Sequence, residues 1–149
     1  MRELWDADDI SDGEQVRTRP KRLPVDRRVL AWLGDKDRLI WELSEQNASV
    51  RLIARAVGLN SGTVCRRIAA MRRRFAAPIV HVMLEQIIPV PDVARKIALL
   101  HHAGGLSCAA VARKLNVSEA SVREHVRYAA GISSIIERRR AIQFTQHVH

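Results

Sequence analysis

The stretch AVARKLNVSEASVREHV, residues 110–126, holds two short helical patterns that meet at a polar junction. The helix CAAVARKL (108–115) leads into the turn NVS. Asn116 suits the positive φ of a tight turn, and Ser118 suits the cap of the next helix. A looser version, LIARAVGLNSGTVCRRI, occupies residues 52–68. A shift of 58 positions brings the two into register. Ser49 then falls on Ser107, Ala54 on Ala112, Val57 on Leu115, Gly58 on Asn116, Leu59 on Val117 and Asn60 on Ser118. Val64 falls on Val122 and Ile68 on Val126. This is the pattern of a helix-turn-helix. A small Ala lets two helices approach, a Gly or Asn redirects the chain, and an apolar residue plugs the angle. The competing reading is a compact bundle whose helices merely turn.

Working outward, DKDRLIWEL (35–43) has apolar residues at 39, 40 and 43 with acid in its first turn, a helix ended by SEQNAS. Ser49 caps a second helix bearing Leu52, Ile53, Ala56 and Val57, and Asn60 caps a third with Val64, Ile68 and Met71 inward. Residues 35–76 thus form the first unit. Residues 77–90, with PIVHVMLEQIIPV, are too apolar for a solvated linker; they read as a packed connector, helix or strand, or as a dimer contact. Residues 91–131 form the second unit, beginning with PDVARKIALLHHA and ending at Gly131, read as the C-cap of EASVREHVRYAA. Residues 132–149 hold a further short amphipathic helix or tail around Ile135, Ile136 and Ile142. Residues 1–34 read as a flexible tail, although DRRVLAWL (26–33) can start a short helix with Val29, Leu30 and Leu33 on one side. The expected fold is all-α: two tandem three-helix units joined by an apolar connector.

The formal charge is +9, and Arg far outnumbers Lys. Arg suits bidentate contact with phosphate and guanine, so nucleic acid is the first partner to test. Residues 1–16 carry six acids against Arg2, while the rest is basic. Cys65 and Cys108 are not spaced as a metal pair and read as free thiols of a cytoplasmic, nucleoid-associated protein. No apolar run reaches the length of a membrane span, and the acidic N-terminus is unlike a secretory signal. His101, His102, His147 and His149 lack a Cys or carboxylate at ligand spacing, and no glycine-rich phosphate loop appears. The sequence therefore predicts no metal, no cofactor and no enzyme.

The phrase VRLIARAVGLNSGTVCRRI (50–68), within 38–73, resembles region four of the major family of bacterial sigma factors, the module that binds a promoter element. The stretch GGLSCAAVARKLNVSEASVREHV (104–126) is similar to the helix-turn-helix shared by sigma factors and response regulators. Its SEASVREH resembles the start of the recognition helix in LuxR-type activators. No segment resembles the part of a sigma factor that grips polymerase, which suits a small phage or plasmid regulator better than a promoter-specificity subunit.

A helix-turn-helix reads bases with the start of its last helix. In the first unit the outward positions are Ser61, Gly62, Thr63, Arg66 and Arg67, with Arg66 and Arg67 the candidates for guanine. Arg72, Arg73 and Arg74 lie where a helix leaves the groove, and are read as phosphate contacts. In the second unit the equivalent base-reading set is Glu119, Ala120, Ser121, Arg123 and Glu124, with His125 and Arg127 toward phosphate. Two acids there cost affinity for the backbone, so this unit either reads DNA, binds protein or pairs with its twin. Arg17, Arg19, Lys21 and Arg22 form a minor-groove arm or a solubilising tail. The expected activity is sequence-specific binding of double-stranded DNA to regulate transcription. The alternatives are a transposase-type end-binding module and an adapter for RNA polymerase or a sigma factor. A homodimer through 77–90 or the C-terminus stays open.

Overall fold

The computed structural model describes residues 24–146, and among them every regular element is a helix. A short 3-10 helix, Arg27–Trp32, precedes α1 (Asp35–Glu45), α2 (Val50–Val57), α3 (Ser61–Phe75) and α4 (Pro78–Glu85). Then follow α5 (Asp92–His102), α6 (Cys108–Leu115) and α7 (Glu119–Gln146). The all-α reading is correct.

The duplicated sequence folds with duplicated local geometry. Ser49 Oγ accepts from the Leu52 amide at 3.2 Å, and Ser107 Oγ from the Ala110 amide at 3.2 Å. The turn residues Gly58 and Asn116 are both left-handed, at φ 69° and 54°. The next amide then returns to the helix: Leu59 donates to Ala54 and Val117 to Ala112. Asn60 Oδ1 and Ser118 Oγ cap the following helices through the amides of Thr63 and Ser121. Each turn satisfies backbone groups that a helix end leaves open, which is why short polar residues occupy these positions.

Three boundaries differ from the sequence reading. The first concerns the tail. Residues 27–32 are a packed 3-10 helix, and Val29, Leu30 and Leu33 are buried. The tail assigned to 1–34 therefore does not extend that far; its first 23 residues lie outside the described residues. Second, the connector is the helix α4, with Ile79, Val80, Val82 and Met83 buried against α3, α5, α7 and the 3-10 helix. The apolar residues of α4 are thus largely taken up inside the chain, while Ile87, just beyond it, is exposed. Third, α7 runs through Gly131 without a break. Ala129, Ile132 and Ser133 on either side are buried, so packing on the body carries the helix past its glycine.

The core joins the two repeats. One cluster gathers Ile40, Trp41, Ile53, Val64, Ile68 and Met71 of the first unit. It continues through Val80 and Met83 of α4 to Ala98 and Leu99 of α5, Ala103 at its C-cap and Ala129 of α7. A second cluster holds Ile97, Leu100, Val111, Ala112 and Val122, and Trp32 packs against both. Gly104 permits that junction. A Cβ there would lie 2.5 Å from the Trp32 carbonyl oxygen and 2.6 Å from that of Leu100.

Candidate nucleic-acid interface

The inward face of α3 is set by Val64, Ile68 and Met71, all buried at a spacing of four then three. At 100° per residue, Gly62, Arg66, Ala69 and Arg73 fall opposite them. All four are exposed. Gly62 and Ala69 carry almost no side chain, so the helix backbone is accessible beside the two arginines. Arg66 Nη2 donates to Thr63 Oγ1 at 3.2 Å, which tethers the guanidinium toward the start of the helix. Arg72 flanks this face and is exposed. Arg51 and Arg55, one turn apart on α2, are exposed as well. Among the described residues none of these five arginines has a carboxylate partner.

Two expected contacts lie elsewhere. Arg67 Nη1 donates to Asp37 Oδ1 of α1 at 2.8 Å, so it braces α3 against α1 and does not extend outward as a guanine reader. Arg74 is partly buried. Its Nε donates to the carbonyl of Ala103 at 3.1 Å, at the C-terminal end of α5, where the helix dipole favours a cation. Its Nη2 lies 3.8 Å from Asp37 Oδ2, too long for a hydrogen bond but close enough for attraction. Burial lowers the Arg74 pKa from its ordinary value, the Asp37 charge opposes that, and Arg67 adds to the lowering. Arg74 therefore joins the two repeats and is not placed for a phosphate. Ser61 and Thr63 are half-buried beside the cap, with Thr63 held by Arg66.

The second unit presents a different surface. Arg123 Nη2 donates to Glu119 Oε1 at 2.5 Å, so two of its expected base readers neutralise each other. Ala120, Glu124 and Arg127 are exposed, and Ser121 is half-buried. His125 is half-buried too, its Nδ1 donating to the Ser121 carbonyl at 2.7 Å. The ring thus lies along its own helix and does not reach outward to a phosphate. The arm residues Arg17, Arg19, Lys21 and Arg22 lie outside the described residues.

Sequence reasoning missed Arg51, Arg55 and Ala69. A helical wheel anchored on Ile53, Ala54 and Val57 would have found the first two, and one anchored on Val64, Ile68 and Met71 the third. Nothing local signals Asp37, whose partners are thirty or more residues away. Among the described residues no cluster of His, Cys, Asp and Glu could hold a metal ion, and no helix is long and apolar enough to cross a membrane. Comparison with known proteins yields no matching family model, no matching curated protein and no matching solved structure.

Proposed function

We propose that this chain binds double-stranded DNA sequence-specifically through α2 and α3, and regulates transcription by occupying its site. The observation that carries the reading is the outward face of α3. It alternates arginine with the two smallest residues, directly opposite a buried apolar row. Arg66, near the helix start, has the reach and fork geometry for a guanine edge, while Arg72 and Arg73 follow the phosphates as the helix leaves the groove. Arg51 and Arg55 add cations from α2. Each neutralised phosphate releases counterions, so affinity falls steeply with salt. The chemistry is that of binding, with no bond made or broken.

Selection of binding sites from random duplexes by the full chain tests this. The expected result is a discrete motif. Arg66→Ala should relax discrimination at one guanine by about 1–3 kcal/mol. Arg73→Ala should weaken all sequences alike and reduce the salt slope by about 1. Sequence-indifferent binding that Arg66→Ala leaves unchanged would refute specific recognition.

The second unit supports a different role. Its Glu119–Arg123 pair and the exposed ring of Tyr128 favour contact with protein over contact with DNA. RNA polymerase, a sigma factor and a second copy of the chain are the candidates that this reading admits.

A further inference from the structure

The helix α7 is longer than the body that supports it. Val122, Ala129, Ile132 and Ser133 are buried on the side packed against α4, α5 and α6, whereas residues 137–145 are exposed throughout. A second apolar row lies on another face. Tyr128, Ile135 and Ile142 are 61%, 56% and 58% exposed, spaced by seven residues. A straight helix turns by about 20° less than two full turns per seven residues, so such a row drifts slowly and is straightened only by winding round another helix. Between Tyr128 and Ile135, on the same side, stands Gly131. It has no atom within 4 Å of where a Cβ would be. The glycine fills no steric need within the chain, yet it leaves room for a second backbone.

We propose that this row pairs α7 with α7 of a second copy, in antiparallel order about a two-fold axis. Charge selects both the partner and the direction. Glu124 extends the row at its N-terminal end, and Arg138 and Arg139 flank its C-terminal end. None of the three has a charged partner among the described residues. Parallel helices would set the Arg138–Arg140 runs side by side. Antiparallel helices set each Glu124 toward the arginines of the other copy, twice, as an isologous interface requires. Residues 124 to 142 span roughly 27 Å of helix, about five turns of contact. With Glu124 opposite Arg139, Ile135 of each copy meets Tyr128 of the other, and Gly131 stands beside the two-fold axis, where it leaves room for the close approach. Because Glu124 belongs both to this row and to the base-reading set expected of the second unit, pairing excludes DNA from that surface. The second repeat becomes the pairing module of the protein.

Sedimentation equilibrium of the full chain without DNA tests the pairing separately from DNA recognition. The wild type should have twice the mass of one chain at tens of micromolar. Ile135→Glu, at an exposed position, should keep the helical circular dichroism signal and sediment as one chain. Glu124→Arg should weaken association, and adding Arg138→Glu with Arg139→Glu should restore it. A monomeric wild type overturns the proposal, as does an Ile135→Glu variant that still pairs. Failure of the charge exchange to restore association overturns the antiparallel order.

Discussion

Asp37 decides which arginines of the first unit remain available. One carboxylate, half-buried on α1, takes Arg67 at 2.8 Å and attracts Arg74 at 3.8 Å. Asp37→Asn keeps the shape and removes the charge. The variant should lose about 1 kcal/mol of stability, since a partly exposed pair is worth less than a buried one. Freed Arg67 should also raise non-specific DNA affinity and steepen its salt dependence. Denaturant midpoints and binding at two salt concentrations measure both; a variant matching wild type in each would show that the clamp does not exist. His102 has a separate effect. Its ring stands edge-on to His101 at 4.9 Å, and its Nε2 is buried without a partner. Burial, and secondarily the His101 charge, lower its pKa below the ordinary 6.5. As pH falls, the unfolded chain then takes up this proton before the folded one does. Stability should therefore hold above pH 6.5 and decline below it. Comparing urea midpoints at about pH 7.5 and about pH 5.5, wild type should lose more than His102→Leu. Equal losses would assign the decline to other groups.

Among the elements, those whose ends are set by local chemistry match the sequence most closely. Ser49, Asn60, Ser107 and Ser118 cap the helices they precede, and Gly58 and Asn116 turn the chain, because each acts within four residues of itself. Gly131 obeys no such rule. Its neighbours Ala129 and Ile132 bury against the body, and that gain outweighs a glycine cost of roughly 0.5–1 kcal/mol. The packing partners of α4 were equally hidden, since its apolar run is compatible with helix, strand or an outside partner until its neighbours are known. The candidate site divides the same way. The core spacing of α3 places Arg66 and Arg73 outward, but only the three-dimensional structure brings Asp37 to Arg67 and Ala103 to Arg74. Alanine at two positions tests this contrast between local and tertiary control. Gly131→Ala should stabilise by roughly 0.5–1 kcal/mol, because the site is exposed helix with open space at Cβ. Asn116→Ala should destabilise by about 1–2 kcal/mol, because Ala resists left-handed φ. Urea unfolding of both in the Ile135→Glu background, where pairing does not contribute, should show opposite signs. A gain for Asn116→Ala would mean that the second turn relaxes out of its left-handed conformation.

On the scale of the whole molecule, the continuous core makes the two repeats one object. Trp32 packs against both clusters, Gly104 lets it close on α5, and Arg74 of α3 is bonded to the end of α5. The arginine face of α3 and the apolar row of α7 therefore hold fixed positions relative to each other. If two copies pair through α7, the two-fold axis fixes the separation of their α3 helices as well. A protein of that symmetry reads a palindrome whose half-sites lie a whole number of helical turns apart. A single chain using both repeats on one duplex would instead protect an asymmetric, bipartite site. Footprints on a selected site separate these geometries. Wild type should protect two inverted half-sites together, and Ile135→Glu should protect either half independently. The variant should also bind the full site on the order of 10²-fold more weakly, because the second half-site is no longer met at high local concentration. An asymmetric footprint, or an Ile135→Glu variant with wild-type affinity for the full site, would mean that one chain reads the site alone and that the α7 row serves another partner.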